Sequence, residues 1–444
     1  MPHPKFVDSG FSRFDANQGL LGDCWFVAAV ANLTLHEDLL FRVVPLEQGF
    51  EGDYCGIFYF HVNKLYKFGI RQNMFWQYGE WIDVCIDDRL PTIDGELVFM
   101  HSTQKAEFWP SLLEKAYAKL CGCYENLHFG TGAEAMEDLT GGIVEIFDLR
   151  MFGPTAGLQF SDGHENQEPG ELILPNGLVQ RHEFGITDVK TLKLSSYWYN
   201  VPREVELLRI RNPYGDEVEW KGAWSDGSSQ WELVSENAKY ELGLKFAADG
   251  EFWMSFEDVK LHFHSLMICH ACNPDHTCRS SRNVQSCDEL CKNWKLFTFH
   301  GAWVRGKSAG GCPEDLNSFV INPQYQFEIS EDLNHGTEKP SNCIIALMQK
   351  YRRLESSSPT FRYYHIGFLV YKVDEPSLFD HVLKVDFFRN RRPVSKHFGF
   401  ENTREVYQRL CLEKGRYVVV PCTIEKDLNC KFLLRIYANK LYAK

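Results

Sequence analysis

A cysteine that does chemistry needs a lowered thiol pKa, a proton acceptor and a donor for the charge that develops on its substrate. The stretch QGLLGDCWFVAAVANL, residues 18–33, offers the beginning of such a set. Cys24 stands directly before Trp25, Phe26, Val27, Ala28 and Ala29, an apolar helical run. The positive end of that helix is expected to favour the thiolate. Gly19 and Gly22 allow a tight turn ahead of it. Gln18 can return its side-chain amide to an oxyanion, beside the backbone N–H of Cys24. A thiolate needs a histidine as base and acid, and that histidine needs an orienting acceptor. His182, in LVQRHEFGITDV, and Asn212, in RIRNPYG, are the candidates.

The elements that must position these residues fall into three parts. Residues 1–142 carry helix signals. In FWPSLLEKAYAKL, the residues Trp109, Leu112, Leu113, Ala116, Tyr117 and Leu120 recur at helical spacing and predict one apolar face. Residues 143–270 change character: LLRIRNPYG, WKGAWSDGSSQW and DGEFWMSF predict short antiparallel strands between Gly, Asp and Ser turns. EDVKLHFHSLM is expected to close the region as a helix. Residues 271–292 are polar and cysteine-rich and read as a linker. From 293 to 444, QYQFEI, NCIIALMQ, HIGFLVYKV, RYVVVPCTI and KFLLRIY predict an all-β sandwich.

Composition narrows the function. A formal net charge of −13 argues against general nucleic-acid binding, which needs a basic footprint. The opening residues MPHPKFVDSGFSRFD lack an apolar signal core, and no apolar run reaches membrane-spanning length. The 15 cysteines are irregularly spaced, which favours reduced thiols over a disulfide framework and a cytoplasmic location.

The order of motifs QGLLGDCWF, DDRLPT, EFWPSLLEKAYAKL, DLTGG, RIRNPYG, GAWSD and DGEFWMSF resembles the calpain family of calcium-dependent cysteine proteases. AGGCPEDLNSFVINPQYQFEI is similar to the start of that family's β-sandwich domain. The resemblance implies an α+β fold. A two-lobed papain-like core, with lobes at 1–142 and 143–270, would be followed by a C2-like sandwich at 293–444. It implies Cys24 as nucleophile, His182 as base and acid, Asn212 as its orienting residue and Gln18 as oxyanion donor. Protein substrates would be cut through a thioester.

The resemblance also implies regulatory Ca²⁺ at one site in each lobe, neither of the EF-hand type. The matching positions are Asp8, Gly10, Asp15 and Glu107 in the first lobe. In the second they are Glu219, Asp226, Ala247, Asp249 and Glu251. The ion would act as a switch that brings Cys24 to His182 and Asn212, not as a catalytic metal. The sequence shows no penta-EF-hand module after the sandwich, so an EF-hand small subunit is not expected. Arg352, Arg353, Arg389, Arg391 and Arg392 lie near strand ends of the sandwich and offer contacts to an anionic membrane surface.

Several features depart from the family pattern. Residues 62–75 separate GIFYFH from WQYGEW, which are nearly contiguous in the family. The segment between 142 and His182 is shorter, and 151–177 shows no replacement strand. RHEFGIT stands where the family tends to read Gly-His-Ala-Tyr, which places Arg181 and Glu183 beside the imidazole. Tyr214 takes a position often held by Trp, and one residue is added in GDEVEW. A second metal reading rests on His262, His264, Cys269, His270, Cys272, His276, Cys278, Cys287 and Cys291, where Cys269 and Cys272 have zinc-like spacing. Its second pair is not a clean C-x-x-C, and a plain linker is the simpler account of the segment.

Overall fold

In the computed structural model, Cys24–Leu33 form helix α1, and every residue but Asn32 is buried. A helix that is apolar around its whole circumference has to be surrounded by protein. Helix α2 spans Glu37–Val43. Helix α3 spans Trp109–Cys121, with Pro110 in its first turn, where a missing N–H costs nothing. Five of the six residues predicted for its inner face, Trp109, Leu112, Leu113, Ala116 and Tyr117, are fully buried, and Leu120 is partly so. The ring of Phe26 stacks on that of Tyr117 at 4.3 Å, and the Trp25 indole N–H donates to the Leu127 carbonyl at 2.9 Å. These contacts lock the first turn of α1, which carries Cys24. Helix α4, Gly132–Thr140, also packs on α1.

The structure describes residues 3–52, 54–60, 75–128, 130–151, 171–194, 204–271, 295–329, 341–351, 363–375, 378, 381–395, 399–438 and 441–442. The chain divides into two compact units, one of residues 1–77 and 81–270, the other of 78–80 and 271–444. Among the described residues, no disulfide joins the cysteines. Among the described residues, no helix is long and apolar enough to cross a membrane. The departure expected at 62–75 falls outside the described residues except for Phe75, which lies in the strand Phe75–Gln77.

The β-rich half of the first unit is organised by the strand Glu204–Arg211. It pairs antiparallel with Gly185–Lys193 on one side and Glu251–Ser255 on the other. Side chains alternate across a strand, so this sheet builds two cores. Leu208, Ile210, Phe252 and Met254 pack on one face, and Leu207, Trp224, Trp231 and Trp253 on the other. The register places Gly185 opposite Arg211 and Arg211 opposite Glu251. The segments just before Gly185 and just after Arg211 are therefore neighbours.

The predicted closing helix stops at His262, and Ser265–His270 is a strand paired antiparallel with Ile143–Asp148. Packing decides this: the apolar SLMI run is needed to cover an otherwise unpaired strand edge. In the stretch expected to hold no replacement strand, the described residues carry only the exposed pair Leu172–Ile173, hydrogen-bonded to Val179–Gln180. Residues 152–170 lie outside the described residues.

The second unit holds two four-stranded antiparallel sheets. One orders the strands Lys295–Trp303, Cys430–Ala438, Ser341–Gln349 and Glu405–Leu412. The other orders Ile366–Val373, Gly415–Thr423, Tyr325–Ile329 and Leu441–Tyr442. Ile345, Leu347, Leu434 and Ile436 from the first meet Phe327, Val370 and Val419 from the second in one apolar core. Arg435 is fully buried and its guanidinium is held by both carboxylate oxygens of Glu405, at 2.7 and 2.6 Å. Of the arginines near strand ends, Arg391 pairs with Asp374 and Glu375, and Arg389 with Asp386. Arg352 and Arg353 lie outside the described residues.

Candidate active site

Strand register brings His182 and Asn212 together. Nε2 of His182 lies 2.7 Å from Oδ1 of Asn212. The Asn212 amide is oriented independently: its Nδ2 donates to the Val218 carbonyl at 2.8 Å, and its Oδ1 also accepts from the Tyr214 N–H at 3.1 Å. An amide oxygen only accepts, so Nε2 carries a ring proton and Nδ1 faces the other way. The backbone of Asn212 is pinned by its N–H to the Gly250 carbonyl at 2.8 Å.

Cys24 arrives from the other side. Its Sγ, a ring nitrogen of His182 and a carboxylate oxygen of Glu171 all lie within 4.8 Å of one another. The turn ahead of Cys24 is tied to the Asn212 segment, because the Gln18 N–H donates to the Pro213 carbonyl at 2.9 Å. Arg211 is buried, and its guanidinium donates to Oδ1 of Asn17 at 2.7 Å. Gly19 is needed for close approach: a Cβ there would sit 2.3 Å from the Val98 carbonyl oxygen. One N–H of the Gln18 amide donates to the Leu21 carbonyl at 2.9 Å, which leaves the second for an oxyanion.

The sequence reading missed Glu171. Its Oε1 lies 2.9 Å from Nδ1 of His182, and Tyr214 donates its hydroxyl to Oε2. The Tyr214 ring also packs against the imidazole, with centroids 4.6 Å apart. Burial works to raise the Glu171 pKa, but hydrogen bonds from His182, Tyr214 and Cys24 outweigh it and hold the carboxyl below its ordinary value. Nothing near Glu171 in the chain marks it, since its role depends on a hairpin return.

The thiol does not behave as the helix terminus alone predicts. Burial pushes Cys24 up to about 12, the carboxylates of Glu171 and Glu183 add to this, and a hydrogen bond from the Glu183 backbone works against it. Dehydration of the sulfur and two nearby anions act against the thiolate, opposite to the direction expected from a helix terminus. Glu183 caps α4, accepting from the Gly132 N–H at 2.9 Å with both oxygens, and burial raises it to about 7. Next to Cys24, Asp23 is fully buried beside the equally buried Glu114, and both are raised, first by burial.

The acidic positions form two groups. Glu107 accepts from the Asp8 N–H at 2.7 Å and from the Ser102 hydroxyl at 2.7 Å. Burial, then repulsion from Asp15 and Asp8, raises it to about 7. Asp15 is itself buried and raised by that burial, and Gly10 has φ of 100°. In the second group, Glu219 accepts from the N–H groups of Asp249 and Gly250 at 3.1 and 2.8 Å, and Asp226 from that of Ala247 at 3.0 Å. Burial, then the charges of Asp226 and Asp249, raise Glu219 to about 7, and burial, then the charge of Asp249, raises Asp226 to about 6. Carboxylates raised by their neighbours' charges favour a positive countercharge. Glu251 stands apart, held by Arg13 through two hydrogen bonds, the second of 2.8 Å.

Of the cysteine-rich segment, residues 272–294 lie outside the described residues. Cys269 meets the Thr140 hydroxyl at 3.4 Å, His270 pairs with Glu145, and His262 packs on Trp220.

Comparison with known proteins follows this geometry. The sequence model of the calpain family cysteine protease matches residues 1–270, and that of calpain large subunit, domain III matches residues 299–437. Calpain-A of Drosophila melanogaster is 40% identical over 448 residues, covering 98% of this chain and 51% of that protein. Calpain clp-1 of Caenorhabditis elegans is 40% identical over 449 residues, covering 98% and 54%. The calpain-1 catalytic subunit of Gallus gallus is 40% identical over 453 residues, covering 98% and 60%. The chain therefore spans roughly half to three-fifths of the length of these relatives. With matches of this extent over both units, the chain belongs to the calpain family of cysteine proteases.

Proposed function

We propose that the chain is a calcium-regulated, cytoplasmic cysteine endopeptidase that cuts exposed, flexible segments of proteins. Its core is read as two papain-like lobes, and its second unit as C2-like. The observation that carries this reading is the His182–Asn212 contact of 2.7 Å, with the Cys24 sulfur within 4.8 Å of the ring.

In the reaction, once Glu171 has left Nδ1 of His182 and that nitrogen has lost its proton, the Cys24 thiol passes its proton to Nδ1, and the sulfur attacks the scissile carbonyl carbon. The Gln18 amide and the Cys24 backbone N–H receive the oxyanion. The tetrahedral adduct collapses, Nδ1 returns the proton to the departing amine, and a thioester remains. His182 then takes a proton from water, whose oxygen displaces the sulfur. Throughout, Asn212 holds the Nε2 proton and keeps Nδ1 turned toward the chemistry.

Asp8, Gly10, Asp15 and Glu107 would hold one Ca²⁺, and Glu219, Asp226, Asp249 and the Ala247 carbonyl another. Bound calcium supplies countercharge that stabilises an arrangement of the lobes and takes no part in bond making. Glu251 is better suited to its arginine than to an ion.

The high thiol pKa and the Glu171 carboxylate at Nδ1 favour a second reading, in which the chain binds calcium, lipid or partners without turnover. Hydrolysis of a fluorogenic peptide, with and without Ca²⁺ and with Cys24→Ser as control, decides between them. Calcium-dependent turnover that the substitution abolishes supports the protease. Calcium binding with no turnover supports the alternative.

A further inference from the structure

We propose that Cys24, Glu171 and His182 form a zinc site, with thiolate sulfur, carboxylate oxygen and imidazole Nδ1 as its three protein ligands. Among the described residues, this is the group of Cys, His, Asp and Glu side chains whose ligand atoms lie close enough to share one ion, all within 4.8 Å. One sulfur, one nitrogen and one oxygen suit zinc, whereas calcium and magnesium take oxygen alone. Three ligands leave a fourth, tetrahedral position for water.

The second layer of contacts supports the assignment. A metal-binding histidine usually donates its remote N–H to an oxygen, which fixes the tautomer. Here Nε2 donates to Asn212 Oδ1 at 2.7 Å, and Asn212 is itself held by Val218 and Tyr214. The carboxylate is held in the same way: Tyr214 donates to Oε2 of Glu171, while Oε1 faces Nδ1 at 2.9 Å. Charge balances as well. Zinc displaces the Cys24 proton and any proton shared between His182 and Glu171, so two anionic ligands and one neutral ligand meet a dication. Entry is open at Glu171, whose side chain is 25% exposed, while that of His182 is fully covered.

A zinc-loaded chain has no sulfur free to attack and no Nδ1 free to carry a proton. The inhibitory consequence rests on the proteolytic reading above; the site itself does not. This group is also distinct from the cysteines of 262–291, which makes the two sources of zinc binding separable by substitution.

The test uses the full chain, freed of metal by a chelator and kept without calcium. Zn²⁺ is titrated against a fluorescent zinc indicator, and Co²⁺ is used as a spectroscopic probe. Expected is one equivalent of zinc whose affinity falls at least about tenfold in Glu171→Gln and in Cys24→Ser. A thiolate-to-cobalt charge-transfer band should be present in the parent chain and absent from Cys24→Ser. Glu171→Asp, a shorter carboxylate, should retain part of the affinity, which separates lost ligation from a misfolded variant. Zinc should also protect Cys24 from alkylation, read by mass spectrometry of its peptide. Equal zinc affinity in the parent and both variants, or cobalt binding without the band, overturns the proposal. A chain that binds zinc in this way yet hydrolyses no peptide keeps the site and loses the protease; one that hydrolyses peptide but lacks this zinc loses the site alone.

Discussion

His182 and Asn212 are 30 residues apart in the chain, yet Nε2 and Oδ1 are 2.7 Å apart in the fold. The link between the two facts is strand register, since Gly185 faces Arg211 across the sheet. A slip of one residue would turn every side chain of the pair to the opposite face. The site is thus held by the sheet and not by the loops alone.

Asn212→Ala removes the acceptor for the Nε2 proton and frees the ring to turn. The expected outcome is a fall in kcat of about tenfold or more with KM little changed, because this side chain is fully buried behind the imidazole. Steady-state kinetics on a fluorogenic peptide with calcium checks it. An unchanged kcat would remove Asn212 from the machinery.

Glu171→Gln takes away an anion that holds the Cys24 thiol high. Removing a negative charge beside a thiol favours the thiolate, so its pKa must fall. Alkylation of Cys24 should therefore be faster near neutral pH, with its pH profile displaced to lower pH. Rate measurements on the Cys24 peptide from pH 6 to 10 read this directly.

Asp23 and Glu114 are buried together, and burial raises both. An acid raised in the folded state keeps its proton there and gives it up on unfolding. Stability from such a group is present at low pH and is lost as pH climbs from about 4 through the raised values. Glu114→Gln removes one ionisable partner and keeps an oxygen for the Met100 N–H, which donates to Glu114 at 3.1 Å. Relative to the parent, the variant should gain stability as pH rises from 5 to 8, read as the difference in Tm between the two proteins.

Phe26→Ala opens the stack on Tyr117, whose ring centroid lies 4.3 Å away and joins α1 to α3. Large-to-small changes of this kind in a close-packed core cost about 3–5 kcal/mol. Urea unfolding should show a lower midpoint. A cost under about 1 kcal/mol would mean that this contact does not hold α1.

Gly177→Ala tests the second acidic group from outside its ligands. Gly177 has φ of 86°, and a Cβ there would fall 1.7 Å from the carbonyl oxygen of Glu219. The backbone bearing Glu219 has to move, and the calcium-induced rise in Tm should shrink. An undiminished rise would take Glu219 out of the calcium site.

Local pattern accounts for much of what the sequence made legible. Helix α3 follows from apolar residues at helical spacing, and five strands of the second unit follow from short apolar runs between turns. Lys295–Trp303 and Glu405–Leu412 were harder to read, because charged and polar residues interrupt them and partners supply the order. The catalytic candidates were legible by residue type: a cysteine ahead of an apolar helix, a histidine, and an asparagine before proline. Glu171 was not, because a carboxylate on a polar segment looks solvated until a hairpin folds it back onto His182. The sequence alone thus pointed to helix α3, to five strands of the second unit and to the candidate reactive residues by type, since these depend on neighbours within a few residues. Tertiary structure alone decided the surroundings of those side chains, because the burial of Cys24 and the carboxylates of Glu171 and Glu183 beside it come from packing between segments far apart in the chain.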